Sequence, residues 1–241
     1  GHALYFQARP GSSTELVIDQ KCLFVDNGIL DINNRWKGYT IVSNAPQFDF
    51  SNSTIEFNDA SYSTSALKID ETQTSKITDV LIKHANNAYW DHQNNDYKGY
   101  AIIIAPTSEE VEIESCIFDR CGTWGGKSAI YDDGKRTIIN DCQFLNDDYG
   151  DLRVGAVYIN SIGTHIITNC FAQNNWGDYG TFQYKPVTET GSPRVFTFMN
   201  NTIDHVFGDD RMALNFNIRK ADDLSIENVT IKNTNHKKCI V

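Results

Sequence analysis

INDCQFLN, residues 139–146, decides the fold, because the same eight-residue pattern recurs along the chain. IESCIFDR (113–120) and ITNCFAQN (167–174) flank it, FMNNTIDH (198–205) and IENVTIKN (226–233) follow, and ITDVLIKH (77–84) precedes. FSNSTIEF (50–57) and VDNGILDI (25–32) match more loosely and complete the series. The anchor positions are Asn27, Asn52, Asp79, Ser115, Asp141, Asn169, Asn200 and Asn228, at intervals of roughly 25–36 residues, the range of solenoid repeats.

A second set of segments follows the copies: TIVS (40–43), ALKI (66–69), AIII (101–104), AIYD (129–132), AVYI (156–159), TFQY (181–184) and ALNF (213–216). Pairs such as Leu67/Ile69, Val157/Ile159 and Phe182/Tyr184 alternate with other residues, which is the period-two signature of a strand. No segment sustains an apolar period of 3.6. A unit with two or more short strands cannot bury its own face, but stacked copies can. The expected fold is therefore all-β, a right-handed parallel β-helix of about eight rungs, the hand following the crossover preference. A sandwich would need hairpin turns, and no regular Asn-Gly or Asp-Gly pair separates the strands.

Residues 14–241 read as a single β-helix domain. Residues 1–13 are set apart as an appended linker or an N-terminal cap, because LYFQ (4–7) resembles part of a protease-cleavage tag and Pro10-Gly11-Ser12-Ser13 looks like a linker. The final NHKKCIV (235–241) shows no evident cap, which points to a longer chain or an assembly.

With 241 residues, 40% of them hydrophobic, the chain can bury a substantial core. A net charge of −10 and a pI near 5.0 argue against nucleic acid and anionic membranes as partners. No apolar run approaches the roughly 20 residues of a transmembrane helix.

Stacking reassigns the residues that look chemical in isolation. The anchor Asn/Asp column is expected at a bend, bonded to the next rung and buried, which argues against glycosylation of its sequons at Asn52, Asn200 and Asn228. Cys116, Cys142 and Cys170 fall on consecutive rungs where Val80 and Val229 stand. A column of free thiols in the core is one reading, a disulfide between adjacent rungs another, a metal or reactive site a third. Cys22, Cys121 and Cys239 lie outside this column, without an obvious partner. No cofactor is expected. The acidic loop Asn146-Asp147-Asp148-Tyr149-Gly150-Asp151 could offer oxygen ligands to calcium, but it lacks the EF-hand spacing and the distal Glu.

Positions that depart from the needs of the repeat carry the functional expectation. The outward column of the second segments runs Val42, Lys68, Ile103, Tyr131, Tyr158, Gln183 and Asn215, so Tyr131 and Tyr158 should stack side by side. The loops beside them supply Trp90, Trp124, Trp176, Tyr179 and Arg153, among amides and acids. Aromatic faces interleaved with amides suit sugar rings, so polysaccharide is the expected partner. The preceding turn holds Lys98, Lys127, Arg153, Asp178, Asp209, Asp210 and Arg211. Asp178 and Asp210 would share a column on adjacent rungs, roughly 5–7 Å apart, a separation at which carboxylate pairs cleave glycosides.

Two resemblances follow from these residues. Phe171-Ala-Gln-Asn174, Phe198-Met-Asn-Asn201 and Gly155-Ala156-Val157 resemble the FxxN and GGA[ILV] elements of adhesin-like and polymorphic outer-membrane protein repeats, although no full GGA is present. This likeness implies an extracellular or cell-surface β-helix that binds glycan without catalysis. GDDRMAL (208–214), Gly177-Asp178-Tyr179-Gly180 and Asn235-His236 are similar to the motifs of polygalacturonases and related pectin-degrading β-helix enzymes, without their Asn-Thr and Gly-His-Gly. The alternative it implies is a polysaccharide hydrolase or lyase with Asp178, Asp209 and Asp210 as the acid and base set and His236 supporting.

Overall fold

Each copy of the opening motif turns a corner between two strands. Glu110–Glu114 runs along one sheet, Ser115 takes a left-handed backbone (φ 53°), Cys116 points inward, and Ile117–Asp119 continues along another sheet. The same positive φ recurs at Asn52, Asp79, Asp141, Asn169, Asn200 and Asn228, between 48° and 58°. A single left-handed residue redirects the chain sharply, and Asn and Asp tolerate that conformation best after Gly.

The computed structural model describes residues 3–9, 11–27, 29–30, 36–58, 65–85, 90–91, 96–97, 100–122, 128–146, 155–176, 180–186, 194–207, 212–218 and 222–233, without the side chains of 29–30, 36–37, 90–91, 96–97, 176 and 207. Among them the chain visits three eight-stranded parallel sheets in a fixed cyclic order, forming a parallel β-helix. Sheet A holds the second segments, such as Ser128–Asp132 and Gly155–Ile159. Sheet B holds strands such as Arg136–Asn140 and Thr164–Thr168, and sheet C short strands such as Gln143–Leu145. Two antiparallel pairs interrupt the coil, Ile29–Leu30 with Trp36–Lys37 and Trp90–Asp91 with Asp96–Tyr97. Leu4–Gln7, read from sequence as a tag remnant, pairs in register with Ile41–Asn44 at the edge of sheet A.

Stacking makes the core a set of columns. Phe118 and Phe144 lie face to face at 4.9 Å, Phe144 meets Phe182 edge-on at 5.9 Å, and Tyr184 stacks on Phe196 at 4.5 Å. Cys116, Cys142 and Cys170 are buried free thiols, each bonded to the carbonyl two residues back, at Glu114, Asn140 and Thr168. Asn201 continues their column. Its amide is fully satisfied in the core, donating to the Ile167 carbonyl at 2.9 Å and accepting the Cys170 N–H at 2.8 Å.

Two expectations are corrected and one is made specific. The repeat unit has three strands, within the two or more expected, the third appearing because the motif straddles the corner between sheets B and C. The first copy is aligned differently: Leu23 pairs with Thr54, so Lys21 (φ 64°), not Asn27, takes the corner, and Cys22 belongs to the cysteine column. The anchor column is also not buried. Asn52, Asp79, Asp141, Asn169, Asn200 and Asn228 are exposed, because the left-handed bend turns their side chains outside the coil. They form a surface ladder in which Asn169 donates to Asn140 (2.8 Å), Asn200 to Asn169 (3.2 Å) and Asn228 to Asn200 (3.1 Å). Burial therefore supplies no argument against glycosylation of the sequons.

Candidate functional site

Pairing in sheet A puts Lys68, Ile103, Tyr131, Tyr158, Gln183 and Asn215 in one outward column, as the period-two alternation requires. One hydrogen bond past each strand, Asp70, Ala105, Asp133, Asn160 and Lys185 form a second column, their N–H groups bonded to carbonyls of the preceding coil. Val42 and Gln183 in the first column are buried and Ile103 and Ala105 are apolar, so the polar and aromatic strip is centred on Tyr131, Tyr158, Asp133, Asn160 and Lys185.

Its centre is the tyrosine pair. The Tyr131 and Tyr158 rings are 5.5 Å apart and tilted by 53°, and buried Tyr100 lies 5.3 Å beyond Tyr131. Asn160 fixes both hydroxyls: Tyr158 donates to its carbonyl oxygen (3.3 Å), while its amide donates to the Tyr131 oxygen (3.1 Å) and to Asp133 (2.8 Å). Burial raises the Tyr158 phenol above its ordinary value, and the Asp133 charge adds to the shift. One coil on, burial holds the Lys185 ammonium below its ordinary value. At the other end Lys68 is paired with Asp70 at 2.6 Å. Burial pulls Lys68 down, but the Asp70 hydrogen bond and charge outweigh it, and the ammonium ends above its ordinary value.

Of the sequence-predicted contact residues, Tyr131 and Tyr158 are brought together here. Trp90 lies on the short hairpin Trp90–Asp91 and Trp176 on the sheet C strand Phe171–Trp176, their side chains outside the description. Trp124, Tyr179 and Arg153 lie outside the described residues, as do Asp178, Asp209, Asp210 and His236 of the enzyme reading and residues 147–151 of the acidic loop. Among the described residues no group of three His, Cys, Asp or Glu side chains converges as metal ligands would, and no helix is long and apolar enough to cross a membrane.

Two buried polar pairs escaped the sequence reading. His165 Nδ1 lies 3.0 Å from Asp132 Oδ2 inside the corner between sheets A and B, both side chains almost fully buried. Arg194 forms a two-pronged pair with Asp222, also buried, and its guanidinium lies 5.4 Å from the Tyr184 ring centre. The missed signal was a polar residue in an apolar column: Asp132 stands where its neighbours are Ile104 and Ile159. A surface recess of about 350 Å³, lined by Gln7, Arg9, Asn44, Glu71 and Gln73 among others, lies near the first coils and contains none of these groups.

No family model, curated protein or solved structure matches the chain.

Proposed function

We propose that the outer strip of sheet A binds polysaccharide, in an extracellular or cell-surface β-helix that works as an adhesin-like glycan-binding module. The observation that carries this reading is the Tyr131–Asn160–Tyr158 arrangement. Two half-buried rings offer apolar faces at the coil spacing, and one amide holds both hydroxyls in place before any ligand arrives. Sugars have apolar ring faces and rims of hydroxyls, and such an aromatic-amide surface meets both. Pre-set hydroxyls lose little freedom on binding, which favours affinity. Asp133 and Lys185 add a hydroxyl acceptor and a cationic group, the latter suited to a uronate carboxylate.

A glycan array probed with the intact protein, Tyr131→Ala and Tyr158→Ala tests the proposal. Binding of the intact protein to a defined set of glycans, reduced at least about tenfold in each variant, supports it. An array without bound glycans, or binding unchanged in both variants, contradicts it.

A further inference from the structure

The corner beside the strip places a buried carboxylate and an imidazole in the core. Asp132 occupies the inward column of sheet A between Ile104 and Ile159, and His165 the inward column of sheet B between Thr137 and Phe196. A carboxylate can only accept, so His165 donates Nδ1–H to Asp132, which in the neutral imidazole leaves the lone pair on Nε2. That nitrogen lies 3.2 Å from Ser161 Oγ. The second Asp132 oxygen accepts the Gly134 N–H at 2.8 Å, which fixes the carboxylate from its other side.

Ser161 is half-buried on the bend after Gly155–Ile159, next in sequence to the Asn160 that ties the tyrosines together. Asn160 N–H bonds to Asp132 O before the bend and Thr164 N–H to Lys135 O after it. The bend also packs tightly, since a Cβ on Gly163 would lie 2.0 Å from the Lys135 carbonyl oxygen. A hydroxyl on a base, and the base on a buried carboxylate, make the arrangement that drives acyl transfer.

We infer that Ser161, His165 and Asp132 hydrolyse an acyl ester, with Ser161 as nucleophile, His165 as base and Asp132 as positioning residue. Ser161 Oγ attacks the ester carbonyl carbon while His165 Nε2 takes its proton. The carbon–oxygen ester bond breaks, and the departing alcohol takes that proton back. Water then attacks the acyl-serine through the same base, releasing a carboxylic acid and restoring the hydroxyl. Given the adjoining strip, the ester is an O-acyl group on a glycan. That identification rests on the proposed function, but the chemistry at Ser161 does not.

The test is labelling with a fluorophosphonate probe, in which the serine oxygen bonds to phosphorus and fluoride leaves, together with turnover of p-nitrophenyl acetate. The expected result is a probe adduct on the Ser161 peptide by mass spectrometry, absent in Ser161→Ala and His165→Phe. Turnover should fall at least about 100-fold in Ser161→Ala and in Asp132→Asn. Ser161→Ala leaves the buried His165 Nε2 without its partner, so a lowered but still single cooperative melting transition is expected, and a folded variant at the assay temperature excludes misfolding as the cause. An unlabelled Ser161, or turnover unchanged by Ser161→Ala, overturns the inference. Since p-nitrophenyl acetate carries no sugar, that failure leaves the glycan reading standing. An active esterase with an empty glycan array would instead overturn only the glycan reading.

Discussion

Tyr131 and Tyr158 sit on neighbouring coils with their rings 5.5 Å apart, and the side chain of Asn160 is hydrogen-bonded to both hydroxyls. One amide thus sets the chemistry of the strip. Asn160→Ala should leave two unlinked phenols and Asp133 without its amide partner. The expected loss of stability is about 1 kcal/mol, measured by denaturant unfolding, since the groups are half-buried and water can replace the lost bonds. Glycan retention should fall by more than that small loss explains.

Tyr158 also gives a pH signature. Its folded-state value lies above the ordinary one because of burial first and Asp133 second. In alkali the unfolded chain therefore releases this proton before the folded chain does. Stability that is fully present below the ordinary tyrosine value, about 10, should decline as the pH rises through it. Ultraviolet titration should show a late phenol that Tyr158→Phe removes and that Asp133→Asn brings only part of the way back.

The Asp132–His165 pair should behave as a buried polar unit. His165→Phe leaves the Asp132 carboxylate with the Gly134 N–H alone and should cost about 3 kcal/mol or more in urea unfolding. Adding Asp132→Ile restores the residue type of its column neighbours, and the double variant should recover most of that loss while remaining inactive on esters. A single variant as stable as the parent would remove the pair from the account of the core.

The buried cysteines should be inert. Burial pushes Cys121 up to about 12. The bond with Cys142, and then burial, hold Cys116 well above the ordinary thiol value. Cys142 is drawn down by its bond with Cys116, yet the bond with Cys170 and burial prevail and raise it. Native iodoacetamide treatment followed by peptide mass spectrometry should modify half-buried Cys22 and spare Cys116, Cys121, Cys142 and Cys170, whereas all five should react in urea.

The sequence revealed the coil and its outer column because both follow from local alternation. Ile130 and Val157 point in, so Tyr131 and Tyr158 must point out, and each loop length between them is irrelevant. What depended on register across a corner was hidden. Asp132 and His165 lie in different sheets, and only the paired positions around them bring the two together. Lys21 is none of the Asn, Asp or Ser that mark the corner elsewhere, so the first copy is placed on Asn27 by sequence and Cys22 is left out of its column. The exposure of the Asn ladder was hidden for a related reason, since a left-handed backbone, not residue polarity, turns those side chains outward.

The central claim is that the Tyr131–Asn160–Tyr158 strip is where glycan lands, and the most direct measurement is NMR titration of the labelled protein with a glycan retained on the array. The account predicts that the Asn160 side-chain amide and the Tyr131 and Tyr158 ring signals shift first and saturate together, while the Asn169–Asn200–Asn228 ladder stays still. Saturating shifts confined to that ladder, or to sheet C, with the Asn160 amide unmoved would contradict it.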